Sequence, residues 1–346
     1  MPLELVAVAP RTPVVREYEL GDLQPGEVRI RTQFATPKHG TELALYRNIS
    51  PFNLGEWDEA LGLFIPREKP EEPLWFPMPL GNIAVGEVIE IGSAVTDLAV
   101  GDRVYGHLPI REVLQVPSDA VKRAPEGMSA EAICYWDPAE FALGAVRDAQ
   151  VRLGERVAVF GMGAIGLMAA QMARLSGAEW VAVVDPIPMR REAALRHGAD
   201  IAYDPTAIDV ALSIKTTLDR PGVDVAIEAS GNYRALHEAI RCTHLGGRVV
   251  PLAFYTGEAK GLFLGAEWHM NRITMVSSRS ISDPNRDHPM WDSPRITEYA
   301  FRLLQQGKLR ADDLVTPIVS IKEAANAYRD IDEHPDKSIK MGVRFS

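Results

Sequence analysis

No part of this chain limits its fold as tightly as the stretch from Glu155 to Asp185. Arg156-Val157-Ala158-Val159-Phe160 reads as a buried strand and runs directly into Gly161-Met162-Gly163-Ala164-Ile165-Gly166. A helix is expected from Ala164 to Ser176, with Arg174 in its last turn and Gly177 placed to cap it. A second apolar strand, Trp180 to Val184, then delivers Asp185, nineteen residues after Gly166. Strand, glycine turn, helix, strand and acid in this register describe a βαβ unit of a doubly wound parallel sheet that binds a dinucleotide. Gly161 permits the tight turn, Gly163 lets a pyrophosphate approach the backbone, and Gly166 lets the helix pack closely on the strand. The helix start at Ala164 and Ile165 offers N–H groups and a positive dipole end to the phosphates. Asp185 accepts from ribose hydroxyls and repels a 2′-phosphate, so NAD is favoured over NADP. Arg190 and Arg191 follow, either to meet adenine or a phosphate, or as solvated helix positions.

Further strands complete this half. Val223 to Ala229 leads into Ser230 and Gly231, Gly246 to Leu252 forms another, and Ile273 to Ser277 a later one. Ligands lie at strand carboxyl ends in open α/β sheets, which places Ser230 to Asn232 and Leu252 to Phe254 on the nicotinamide side. Before residue 150 the texture differs: short β-rich runs (Glu27 to Gln33, Ala84 to Ile91, Asp102 to Tyr105, Glu112 to Val116) alternate with Gly and Pro turns, as in a small barrel. With 346 residues, two domains are expected. A net charge of −10 without a Lys/Arg cluster argues against nucleic acid or an anionic membrane as partner. Met1 to Pro10 lacks a signal-peptide pattern, so a cytoplasmic location is the default. The two cysteines, Cys134 and Cys242, form neither a disulfide framework nor a Cys-rich zinc site.

Nearly end to end, the chain resembles the medium-chain dehydrogenase/reductase superfamily, the relatives of zinc alcohol dehydrogenase. The resemblance rests on Gly26-Glu27-Val28-Arg29-Ile30, Gly86-Glu87-Val88-Ile89-Glu90-Ile91-Gly92, Gly101-Asp102-Arg103-Val104, Pro125-Glu126-Gly127-Met128-Ser129, Gly161 to Gly166, Glu228-Ala229-Ser230-Gly231 and the closing Lys337 to Phe345. It implies a GroES-like β-barrel catalytic domain over 1–140, a Rossmann domain over 141–285, and a return to the catalytic domain over 286–346. It also implies an NAD-dependent oxidoreductase and a homodimer paired through Arg272 to Ser278.

The departures bear on chemistry. Where zinc-dependent members carry Cys-Gly-Thr/Ser-Asp, this chain has His39-Gly40-Thr41-Glu42; where they carry Gly-His-Glu, it has Gly81-Asn82-Ile83. The Asp137-Pro138 pair of sugar and polyol members is kept, and the structural-zinc lobe is absent. Catalytic zinc needs three N, S or O ligands and an open position. His39 and Asp137 are the credible pair, with His107 or Glu42 as conceivable recruits, so no metal site is expected. The variant looks like the subgroup that includes bacteriochlorophyllide hydroxyethyl dehydrogenases and sugar-catabolism relatives.

Without zinc, hydride transfer still requires a proton acceptor and oxyanion donors. The resemblance places Thr41 at the proton-relay hydroxyl, with His39 as base or relay and Asp137 orienting it; alternatively, His39 fills the vacated ligand position. The family's downstream relay histidine is Ala44 here, and Lys38 is a further acid/base option. The Asn48 to Pro79 insertion carries Phe52, Trp57, Phe64, Trp75 and Phe76, which either cover a substrate ring or form a satellite core. Trp57, Asn82 and His269 are the candidate substrate residues, and a sugar, polyol or cyclitol is the expected small-molecule substrate. An NADPH-dependent enone or quinone reductase and a non-catalytic nucleotide sensor are the competing readings.

Overall fold

The computed structural model describes residues 1–69, 72, 74–219, 221–279, 286 and 288–346. Along the chain, β1 (Leu3–Ala9), β2 (Thr12–Glu17) and β3 (Glu27–Thr36) precede α1 (Thr41–Tyr46) and α2 (Pro51–Leu54). A hairpin of β4 (Gly55–Asp58) and β5 (Leu63–Pro66) follows, then β6 (Met78–Pro79), β7 (Ile83–Ile91), β8 (Arg103–Gly106), β9 (Val113–Pro117) and β10 (Lys122–Arg123). Next come α3 (Ala130–Ile133), α4 (Trp136–Asp148), β11 (Arg156–Phe160), α5 (Ala164–Leu175), β12 (Trp180–Val184), α6 (Pro188–Arg196), β13 (Ile201–Tyr203) and α7 (Val210–Thr217). The chain continues through β14 (Val223–Glu228), α8 (Tyr233–Cys242), β15 (Thr243–Pro251), α9 (Glu267–Met270), β16 (Thr274–Met275) and α10 (Ser293–Gln305). It ends with β17 (Ile318–Ser320), α11 (Ala324–Glu333) and β18 (Gly342–Arg344).

Two compact units result, Met1–Cys134 with Val315–Ser346, and Tyr135–Leu314. In the first, a sheet of order β10-β8-β7-β3-β18-β17 carries β9 on β3, and a smaller sheet runs β2-β1-β6. Period-two alternation decides the faces: Val28, Ile30, Thr32 and Phe34 of β3 point inward, while Glu27, Arg29, Arg31 and Gln33 point away. The inward face joins Leu5, Val88, Leu114, Ile331 and Tyr328 in one core. The second unit holds an all-parallel sheet of order β13-β12-β11-β14-β15-β16. After Arg156, its central strands β11 and β12 are apolar, as burial on both faces requires. Strand order reverses between β11 and β14, the position where such sheets open to a ligand.

The sequence reading grouped everything after 285 with the C-terminal return. Yet α10 packs on α4 of the second unit, with Trp136 edge-on to Phe301 at 6.4 Å and the Thr297 hydroxyl donating to Glu140 at 2.7 Å. The chain rejoins the first unit at Val315. Among the described residues no helix is long and apolar enough to cross a membrane.

Candidate active site

In the second unit, β11 is followed directly by Gly161 with φ +87°, a left-handed conformation that favours glycine. A Cβ on Gly161 would lie 2.7 Å from the Ser230 backbone N, so the ends of β11 and β14 touch here. At Gly166 a Cβ would come within 1.8 Å of the Gly161 carbonyl oxygen, so helix and turn fit only without a side chain. At Gly163, the N-cap of α5, the same space is open to 4 Å. An open space before unpaired helix N–H groups fits a phosphate group.

Asp185 closes the other side of this turn. Its Oδ2 accepts from the Met162 N–H at 2.7 Å and its Oδ1 from the Ile187 N–H at 2.8 Å. Burial raises its pKa, opposed by the Arg190 guanidinium 4.0 Å away and by the two backbone donors. Arg191 instead donates to the Asp185 carbonyl at 2.7 Å and pairs with Asp204 at 3.1 Å.

Sequence reading missed what fixes Ser230 and Gly231. Glu228, at the end of β14, is fully buried and accepts from the Ser230 N–H at 2.8 Å and the Gly231 N–H at 3.1 Å. The Ser230 and Tyr255 hydroxyls donate to the same carboxylate. An acidic side chain at the end of an otherwise apolar strand was the available signal; its tyrosine partner is distant in sequence.

The first unit gathers the other candidates. Glu42, on α1, is buried and accepts from the Tyr328 hydroxyl at 2.6 Å and the Gly81 N–H at 3.0 Å. Burial raises its carboxyl pKa against these donors. Gly81 has φ +130°, and a Cβ there would meet the Ile110 N at 2.5 Å. Its neighbour Asn82 is tied to both flanks, its N–H donating to Thr36 at 2.8 Å and its carbonyl accepting from Leu108 at 3.0 Å. His39 accepts from the Met341 N–H through Nε2 at 3.1 Å, so that nitrogen's lone pair is committed to the backbone. Next to Met341, Lys340 is buried and donates to the Pro37 carbonyl at 2.9 Å. Thr41 opens α1.

Asp137 is buried in the first turn of α4, in the other unit from His39. Trp57 stands on the β4–β5 hairpin, 43% exposed, with Phe64 edge-on at 5.2 Å and Phe52 against Phe64 at 5.3 Å. That aromatic group is a surface cluster of the hairpin. His269 is exposed on α9, which enters β16 at its amino end, whereas Gly161 and Ser230 sit at strand carboxyl ends. The parallel sheet therefore does not bring His269 to the dinucleotide residues.

The residues at the family's zinc positions do not fit a metal. Asn82 is an amide, Ile83 is a fully buried aliphatic residue, and the His39 Nε2 faces a backbone donor. Among the described residues no three His, Cys, Asp or Glu side chains gather as a metal site. Burial pushes the Cys134 and Cys242 thiols up to about 12, leaving both as neutral core groups.

One unit with a parallel dinucleotide sheet and one with an antiparallel GroES-like sheet define a two-unit dehydrogenase of the medium-chain type. The comparisons agree. The family described as zinc-binding dehydrogenase matches residues 164–293. The chain is 43% identical over 349 aligned positions to D-guloside 3-dehydrogenase of Escherichia coli K12, covering 99% of each chain. The enzyme of that name from Shigella flexneri matches equally, at 43% identity. In fold, it resembles the solved 2R,3R-butanediol dehydrogenase of Bacillus subtilis, with a TM-score of 0.75 and 22% identity over 100% of both chains. L-Idonate 5-dehydrogenase of Escherichia coli gives 0.76 at 17% identity, over 99% of this chain and 98% of that one. The chain belongs to the zinc-binding dehydrogenase family, and it is an oxidoreductase using a nicotinamide dinucleotide.

Proposed function

We propose that this enzyme oxidises a secondary hydroxyl of a sugar or glycoside to a ketone with NAD, at position 3 of a D-guloside or a stereoisomer of one. The observation that carries this reading is 43% identity, over 99% of both chains, to enzymes named D-guloside 3-dehydrogenase. The sugar branch of the resemblance is thereby preferred to the bacteriochlorophyllide branch, which none of the relatives named above represents.

A bound nicotinamide would supply the acceptor for the hydride that leaves the carbinol carbon. The turn from Gly161 to Gly166 and the start of α5 hold the pyrophosphate, and Asp185 takes the ribose hydroxyls. The buried Glu228 holds Ser230 and Gly231 rigid on the nicotinamide side. Thr41 passes the proton on toward solvent after a base has taken it from the hydroxyl. With Nε2 engaged, His39 serves as an Nδ1–H donor in that relay rather than as its base, and Asp137 supplies negative charge. Trp57 offers an apolar ring face to the sugar. The exposed edge strand β16 pairs two copies in a homodimer.

A panel of alkyl D-gulosides, their C3 and C4 stereoisomers and acyclic polyols, read by absorbance at 340 nm with NAD and with NADP, tests the reading. Turnover of pyranosides with NAD is expected. Turnover confined to acyclic alcohols, or to enone reduction with NADPH, overturns it.

A further inference from the structure

Asn82 stands where zinc-dependent relatives carry a histidine ligand, and its amide is held for a different task. Backbone bonds to Thr36 and Leu108 fix the residue between β3 and the segment after β8. Its Oδ1 faces the His107 Nδ1 at 3.3 Å. Its Nδ2 is buried, and no acceptor among the described residues meets it. A buried amide donor is normally satisfied by protein, water or ligand, so this one points to an oxygen atom supplied from outside the chain. An amide oxygen can only accept, so the His107 Nδ1 carries the proton and its Nε2 the basic lone pair. The His39 ring has the same Nδ1–H tautomer, but its Nε2 lone pair already accepts from the Met341 N–H. Of these two histidines, His107 is thus set up as a base at Nε2, and its ring is exposed.

We propose that Asn82 and His107 together handle the substrate oxygen. Asn82 Nδ2 donates to the hydroxyl oxygen and stabilises the negative charge that develops on it, replacing the electrophilic role of a metal. His107 Nε2 takes the hydroxyl proton. The O–H bond breaks toward His107, the carbinol C–H leaves with its electron pair for the nicotinamide, and the C=O bond forms. The products are a ketone, reduced dinucleotide and a His107 imidazolium, which returns its proton to solvent. Asn82 also holds the His107 tautomer through Oδ1. This assignment rests on the dehydrogenase reading, but not on which secondary alcohol is the substrate.

Nitrogen-15 NMR of histidine-labelled enzyme and kinetics of Asn82→Ala, Asn82→Asp and His107→Gln test it. The NMR is expected to show His107 protonated at Nδ1 and bare at Nε2, with that preference lost in Asn82→Ala. Asn82→Ala is expected to lower kcat by about 100-fold or more with NADH affinity unchanged. His107→Gln is expected to lower it by a similar factor, about 100-fold at least, and to remove the acid limb of the kcat/KM profile. A His107 protonated at Nε2, or variants that bind NADH and keep kcat within about threefold, overturn the proposal. Should Asn82→Ala fail to bind NADH, the isosteric Asn82→Asp takes its place under the same criteria. The substrate panel decides the sugar reading separately; the variants are measured on whichever secondary alcohol the wild type accepts, and the tautomer requires no turnover.

Discussion

The Met162 N–H donates to the Asp185 Oδ2 at 2.7 Å, joining the pyrophosphate turn to the acid that selects the ribose. The acid is thereby oriented before any cofactor arrives. Replacing Asp185 with Ser removes the negative charge that opposes a 2′-phosphate and leaves Arg190 and Arg191 in place. The ratio of kcat/KM for NAD over NADP is expected to shift toward NADP by about tenfold or more. Initial-rate kinetics with both cofactors check this, and an unchanged ratio contradicts it.

Gly163 and Gly166 separate binding from folding. A Cβ at Gly163 meets nothing within 4 Å, so Gly163→Ala is expected to keep the wild-type Tm while weakening NADH, because the methyl group enters the space reserved for phosphate. Gly166→Ala places a Cβ 1.8 Å from the Gly161 carbonyl oxygen and is expected to cost about 1–3 kcal/mol of stability as well as cofactor affinity. Thermal denaturation and NADH fluorescence titration of the two variants distinguish these effects.

The parts legible in the sequence are those whose partners are near in the chain. The glycine turn, its flanking strands and Asp185 lie within one βαβ unit, so their spacing alone placed them. The link from Tyr328 to Glu42 spans 286 residues and leaves no periodic trace in either segment. The Asn82–His107 contact joins two loops that become neighbours only through β7 and β8 pairing. His269 precedes the last strand in sequence and stands exposed at the amino end of β16, a placement set by strand direction, which residue types alone do not carry.

Glu42 makes stability depend on pH. Burial raises its folded pKa above the ordinary value of 4.5, so the folded state holds its proton longer than the unfolded chain does. This contribution therefore favours folding below about the unfolded pKa and weakens as pH rises through the folded one. Glu42→Gln, which retains an acceptor for Gly81 and a donor for the Tyr328 oxygen, is expected to raise Tm relative to wild type more at about pH 8 than at about pH 5. A larger gain at the acid end contradicts the assignment.

With an amide and an aliphatic residue at ligand positions, extended dialysis against a chelator is expected to leave turnover intact. Elemental analysis alongside is expected to find zinc well below one per chain. Loss of activity that is restored by zinc contradicts the reading of Asn82.

The most direct test of the central claim uses a D-guloside deuterated at C3. Oxidation at that carbon with NAD is predicted to produce reduced cofactor one mass unit heavier and a 3-keto glycoside, with kcat/KM lowered by the heavier isotope. Unlabelled NADH from the same substrate, or product oxidised at another carbon, would contradict it.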